Sequence, residues 1–453
     1  MTGAQSEIMD AGRGGPDLTG DFDVDSAAFS DHWTGQLAEL DALPPKAQRS
    51  AAQQEQAVAL LKAGREARKA YLRRHAAALY RALTDDLTRH VRMEALCFDA
   101  ADKVPGLVPD RARIEAENQL DQKDKDGHEI DQGYLFNYFL ADRDCGLHLC
   151  HTMMLPRAEA LELAPRLKTE DRIDLGTAVY ERKGDVSTVY IKNPRYLNAE
   201  DDSTVHSVET AVDLALLDER TSICVLRGAA IDRGKYEGRG VYCTGINLTQ
   251  LYRGNISYIW YLVREFGFIN KMYRGLARDG VPPDEIFGDT HEKPWVSLVE
   301  KFAIGGGCQY LLVCDYVLAG SDAYLTLPAR KEGIIPGAAN LRMWKFTGDR
   351  LTRQAVMYDR RIDCDTAEGR LICDEVVPPE QLESALADVT SRLTNSGVVS
   401  AASNRRCFRI AAEPLDVFRE YMAVYAREQA YCHFSPALIS NLERFWNASQ
   451  RAA

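Results

Sequence analysis

An α/β core flanked by an N-terminal all-α domain and a C-terminal helical segment is the fold class that this 453-residue sequence predicts. Three observations predict it. Between Pro45 and Pro105 there is no proline and a single glycine, Gly64, a span that suits long helices. From about Ile173 strand-like and helix-like stretches alternate, which implies crossover units and parallel pairing. From about Ser400 to Ala453 the pattern is helical again. The length fits about 2–3 domains. The texture divides them into a disordered N-terminus over 1–30, a helical domain over 31–172, the core over 173–395 and a helical tail over 396–453.

In the helical domain, Leu72, Leu79, Leu83 and Leu87 follow one another at spacings of seven, four and four, a shared apolar face. "GTAVYERKGDVSTVYIKNP" then reads as two alternating strands around a turn at Lys183-Gly184-Asp185. A helix "SVETAVDLALLDE" and an apolar strand "SICVLRG" follow. Next come "RGVYCTGINLTQL", the helical "ISYIWYLVREFGFINKMYRGLA" and a loop rich in Gly, Pro and Asp from Asp279 to His291. The strand "WVSLVEKFA" enters three consecutive glycines. No internal repeat is present.

Composition removes several function classes. With 45% apolar and 27% charged residues the chain is globular. A formal charge of −12 argues against a nucleic-acid surface, which carries a basic face. An anionic ligand would need a local positive site. No apolar run approaches the roughly 18–20 residues of a membrane span, so no membrane partner is expected. The N-terminus has neither the basic nor the apolar region of a signal peptide. Eleven scattered cysteines without a CxxC pair suit reduced thiols in a cytoplasm. "DCGLHLCHTMM" gathers Cys145, His148, Cys150 and His151, but the spacing matches no usual closed zinc site, and no metal is expected. "RGVYCTGINL" is not GxGxxG, so no nicotinamide or flavin site is expected either.

Two segments share a physical logic. In "YCTGINL" and "AIGGGCQ" a strand ends, glycine permits an unusual turn and a helix begins. Helix N-termini offer unpaired N–H groups and a positive dipole end. If the two turns lie side by side, the amides of Ile246 and Gly306 converge on one oxygen as an oxyanion hole. Each such donor is worth about 3–4 kcal/mol to a developing charge. The alternative is that these glycines only let a helix pack closely on a strand.

"VYIKNPRYLNAED", "GVYCTGINLTQL", "KPWVSLVEKFAIGGGCQYLLVCDYVLAGSDAYLTLP" and "EGIIPGAANLRM" follow in order the signatures of the crotonase superfamily, which the chain resembles over about 173–395. The resemblance implies a spiral of ββα units, a homotrimer or a hexamer of paired trimers, and an acyl-CoA thioester held at an oxyanion hole, with Ile246 and Gly306 as donors. Hydratases of that superfamily use two glutamates; the matching positions here are Gln309 and Ala329. Neither exchanges a proton usefully, so hydration is not expected.

The helical N-terminus together with Gln309 is similar to the superfamily's oxygenating members in glycopeptide-antibiotic biosynthesis. That implies an O2-dependent conversion of a 3,5-dihydroxyphenylacetyl-CoA thioester to the glyoxylate and free CoA, with no metal or organic cofactor. Glu200, Arg264 and Gln309 would then hold or polarise the ring hydroxyls. The plain alternatives are a solvated Glu200, an Arg264 paired to Glu265 and a Gln309 that merely starts a helix. For the CoA phosphates Arg253, Lys271, Arg274, Arg278 and Lys293 stand as candidates. The rival functions are a thioester hydrolase, decarboxylase or isomerase on the same scaffold, and a non-catalytic binder.

Overall fold

The computed structural model describes residues 15–394 and 398–452. Its first helix, Phe22–Asp41, begins inside the stretch expected to be disordered. Asp21 caps it by accepting from the amides of Asp23 and Val24, and buried Asp25 accepts from Thr19 and bonds His75 Nε2 at 2.6 Å. The Asp-rich composition that suggested disorder thus supplies a cap and a buried polar pair. The rest of that expectation, over residues 1–14, lies outside the described residues.

Helix Ala51–Leu83 starts at a capping box of Ser50 and Gln53 and buries Leu72, Leu79 and Leu83. Leu87 does not extend this face. The helix ends first, and Asp85, Asp86 and Leu87 turn the chain at positive φ. The hairpin of Ala178–Lys183 and Val186–Ile191 pairs Lys183 with Val186 across Gly184 (φ +60°), as its sequence indicates.

The expected parallel pairing centres on the strand Trp295–Ile304. Its first half lies between Ile223–Gly228 and Tyr316–Gly320. Its second half pairs instead with Val241–Cys243 and Tyr324–Thr326. The change of partners falls at Lys301, a non-glycine residue at φ +64°. A bend of this kind lets one strand serve two sheets, and the strand's end delivers the triple glycine to the site.

The helical tail is not a separate layer. Helix Leu415–His433 accepts at Ala423 O from Asn137 of the N-terminal helices and at Ala426 O from Tyr258 of the core, each at 2.6 Å. Ahead of it, buried Glu413 meets Arg342 (2.9 Å), Lys345 (3.1 Å) and Arg274 (3.2 Å). Burial alone would raise this carboxyl, but the three cations outweigh it and hold it at about 2. One buried apolar cluster runs through Phe136, Leu226 and Phe418, so all three segments share a core.

Candidate active site

Glu200, Ile246, Arg264, Gly306 and Gln309 all line one internal chamber. Backbone pairing brings them there. Glu200 N–H donates to Gly245 O at 2.8 Å and Asn247 N–H to Glu200 O at 2.7 Å, which fastens the Glu200 loop to the first glycine turn. That turn abuts the second: a Cβ built on Gly245 would stand 3.1 Å from Gly306 N. Gly245 (φ +75°) and Gly305 (φ +52°) both need a left-handed backbone, which glycine supplies without strain. Among the described residues, the amides of Ile246 and Gly306 donate to no acceptor.

Around these amides lies a buried charge cluster. Arg264 donates from Nε to Glu200 Oε1 (2.6 Å) and from Nη2 to Glu200 Oε2 (3.1 Å). Its Nη1 donates to Glu265 Oε1 (2.7 Å) and Gln309 Oε1 (2.5 Å). Tyr310 O–H also donates to Glu200 Oε1, and the Cys243 thiol approaches Oε2 at 3.9 Å. Burial works against the Arg264 charge, but Glu200 and Glu265 hold it firmly protonated. Burial likewise raises the Tyr310 phenol and the Cys243 thiol, so both stay neutral donors.

Arg264 has only donors, so the Gln309 oxygen turns to it and the amide nitrogen is left without a protein acceptor among the described residues. Arg264 therefore does pair with Glu265, as the plain alternative had it, while also lining the chamber. Arg264 ends helix Tyr258–Arg264, and Glu265 opens a π-helical turn, Glu265–Ile269, with Gly267 at non-helical angles. Neighbours on a helix diverge by about 100°, and the long Arg264 side chain spans that divergence to reach Glu265 Oε1. Glu265 was visible in the sequence only as a salt-bridge partner.

Two further features were missed. Glu332 lines the chamber, and Ala329, the position of the absent glutamate, stands three residues before it on the same short helix. Helix Leu415–His433 contributes Tyr425 to the wall and pins the adjoining loop. Tyr421 O–H donates to Gly337 O at 2.5 Å, and Gln429 Oε1 accepts from Ile335 N–H at 2.9 Å. Nothing in a single sequence links this helix to the site.

The inner chamber encloses about 30 Å³. Beside it opens an outer chamber of about 450 Å³ walled by Leu442, Phe445 and Trp446, with Arg195, Lys331 and Arg451 around it. The expected phosphate ligands lie elsewhere. Lys271 is buried against Glu209 and Asp213, Arg274 against Glu285 and Glu413, and Lys293 donates to the carbonyls of Ala215 and Asp218. These three are interior counter-charges. Arg278 pairs with Asp289 at 3.0 Å, and Arg253 lines neither chamber. In the Cys/His segment, Tyr80 O–H bonds His148 Nδ1 at 2.8 Å and His90 stacks on His148 at 4.9 Å.

Glycine turns with two free amides at the end of a bent parallel strand agree with a family match: the enoyl-CoA hydratase/isomerase model aligns with residues 288–426. The chain belongs to this crotonase superfamily. More particularly, it is 42% identical over 407 residues to (3,5-dihydroxyphenyl)acetyl-CoA 1,2-dioxygenase of Amycolatopsis orientalis, covering 90% of this chain and 92% of that protein. Short-chain-enoyl-CoA hydratase of Clostridium acetobutylicum is 24% identical over 236 residues, 52% of this chain and 81% of its own. A crystal structure of an enoyl-CoA hydratase from Mycobacterium avium subsp. paratuberculosis aligns with a TM-score of 0.47 at 20% identity, covering 61% of this chain and 97% of that one.

Proposed function

We propose that this chain is a dioxygenase that takes (3,5-dihydroxyphenyl)acetyl-CoA and O2 to 3,5-dihydroxyphenylglyoxylate and CoA without a metal or organic cofactor. The observation that carries the reading is the 42% identity, over nine-tenths of the chain, to a relative named for that activity. The site supports it. An arylacetyl thioester loses an α-proton to give an enolate delocalised over thioester and ring, and the amides of Ile246 and Gly306 receive its oxygen. The enolate passes an electron to O2, and recombination places a peroxide on the α-carbon. The peroxide attacks the thioester carbonyl, CoA leaves as its thiol, and the O–O bond breaks as the second α-hydrogen departs. Three oxygens, one from the thioester and two from O2, end in the glyoxylate.

Gln309 offers its free N–H pair to a ring hydroxyl, and a carboxylate there would meet no need. Glu200 already accepts two donors on each oxygen, so it holds Arg264 and meets the ring only by exchanging a donor. A phenyl-sized guest needs about 150 Å³, more than the inner chamber provides. Its entry therefore moves a wall. The CoA arm takes the outer chamber, where Arg195, Lys331 and Arg451 meet its phosphates.

Among the described residues no helix is long and apolar enough to cross a membrane. A cytoplasmic homotrimer or hexamer in glycopeptide-antibiotic biosynthesis completes the reading.

The test is paired O2 uptake and thiol release by chelator-treated protein given this thioester. One O2 per CoA, with no release under argon, is expected; release unaffected by argon would make the chain a hydrolase. Gln309→Ala is expected to lower turnover about 10-fold, one hydrogen bond's worth. CoA affinity, measured by calorimetry, should stay within a factor of two. Unchanged turnover would remove Gln309 from the ring site.

A further inference from the structure

Among the described residues only two line both chambers, Ile246 and Glu332. Ile246 supplies one of the free amides that face the thioester oxygen in the reading above, so the thioester sits at this junction and its α-carbon lies one bond further in. We propose that Glu332 is the base that takes the α-proton. The inference rests on the enolate reading and gives that reading its missing group.

Among the described residues three carboxylates border the inner chamber. Glu200 and Glu265 are both held by Arg264, at 2.6 and 2.7 Å. Glu332, only 8% exposed, accepts no hydrogen bond and forms no ion pair among the described residues. Among the described residues it is the sole acid bordering the outer chamber. The chamber's other ionisable groups serve poorly: the Tyr261 and Tyr425 phenols are pushed well up by burial, and Arg264 stays charged. Residues three apart on a helix share a face. Glu332 thus presents, one turn further along, the carboxylate that Ala329 lacks.

The charged groups around it have commitments of their own. On its own helix Arg330 pairs with Asp359 at 2.7 Å, and Lys331 stands 3.8 Å from the same carboxylate. Arg195 and Arg451 lie across the outer chamber. Burial first, and then the Asp359 charge, push the Glu332 carboxyl up to about 7. A base at that value is about half ionised at neutral pH and holds a proton well. In the step itself the α-C–H bond breaks, an O–H bond forms on Glu332, and the electron pair moves to the thioester oxygen at the Ile246 and Gly306 amides.

Proton NMR under argon in D2O reads this step without O2, as exchange of the α-protons of (3,5-dihydroxyphenyl)acetyl-CoA. The wild type is expected to exchange them, Glu332→Gln to be slower by at least about 10²-fold, and Glu332→Asp to recover part of the loss. The glutamine variant keeps size and hydrogen-bonding shape, so folding is preserved. In air, the wild-type kcat should fall as pH drops through about 7, where the carboxylate protonates, and this limb should vanish in Glu332→Gln. Exchange at the wild-type rate in the glutamine variant would overturn the assignment alone. If the wild type neither exchanges nor consumes O2, the enolate reading falls and the assignment with it.

Discussion

Gly306→Ala is expected to reduce turnover by at least about 10²-fold, the scale of one misdirected oxyanion donor. The methyl carbon would stand 1.7 Å from Glu200 Oε2 and 2.6 Å from Arg264 Nη2, so one of them must move. Neither is a loose chain end. Glu200 is fixed by Arg264 through two hydrogen bonds and by Tyr310 through a third, and both charges are nearly fully buried. Moving the carboxylate pulls Arg264 out of line and with it Gln309. Steady-state thiol release, with circular dichroism to establish folding, measures the effect. Turnover within a few-fold of wild type would mean that the cluster is pliable and the amide is not placed by it.

Arg264→Lys should cost nearly as much, for a different reason. One guanidinium serves Glu200 through Nε and Nη2 along a single edge and still reaches Glu265 and Gln309 through Nη1. An ammonium is a point donor and cannot span that geometry. Turnover is expected to fall by more than about 10²-fold. Arg264→Ala, which strands two buried carboxylates, should also cost about 3–5 kcal/mol of stability. Urea melts separate the two effects: a lysine variant that loses turnover yet melts near wild type has lost geometry rather than fold. Wild-type turnover in the lysine variant would reduce Arg264 to a structural counter-charge.

Much of this was legible in the residues. The hairpin at Gly184, the run of parallel strands and the two glycine turns follow from patterns with a local physical cause, and those turns do abut. Distance along the chain hid other features. The bend at Lys301 arises from two sheets competing for one strand, and the wall from Leu415–His433 arises from packing across the whole molecule. Leu87 kept its apolar role but left the helix, since periodicity continues where backbone hydrogen bonding stops. Lys271, Arg274 and Lys293 stood as candidates for the CoA phosphates because charge is usually solvated and free to meet a ligand; here each neutralises or satisfies a buried group. Glu332 was legible too: in "LPARKEG" a carboxylate stands three residues after the vacant position at Ala329.

The π-helical turn at Glu265–Ile269 carries a consequence for how such a site can be searched. The placement of Lys271 and Arg274 against their buried carboxylates depends on how many residues the turn contains, and only secondarily on which residues they are. Substitution scanning leaves that count untouched, so it would pass over the turn as tolerant wherever side chains fit. Removing a single residue there would rotate the following helix by about 100° and swing Lys271 and Arg274 away from Asp213 and Glu413. The interior charge pairing behind the site is written partly in chain length, a quantity that deletions read and substitutions do not.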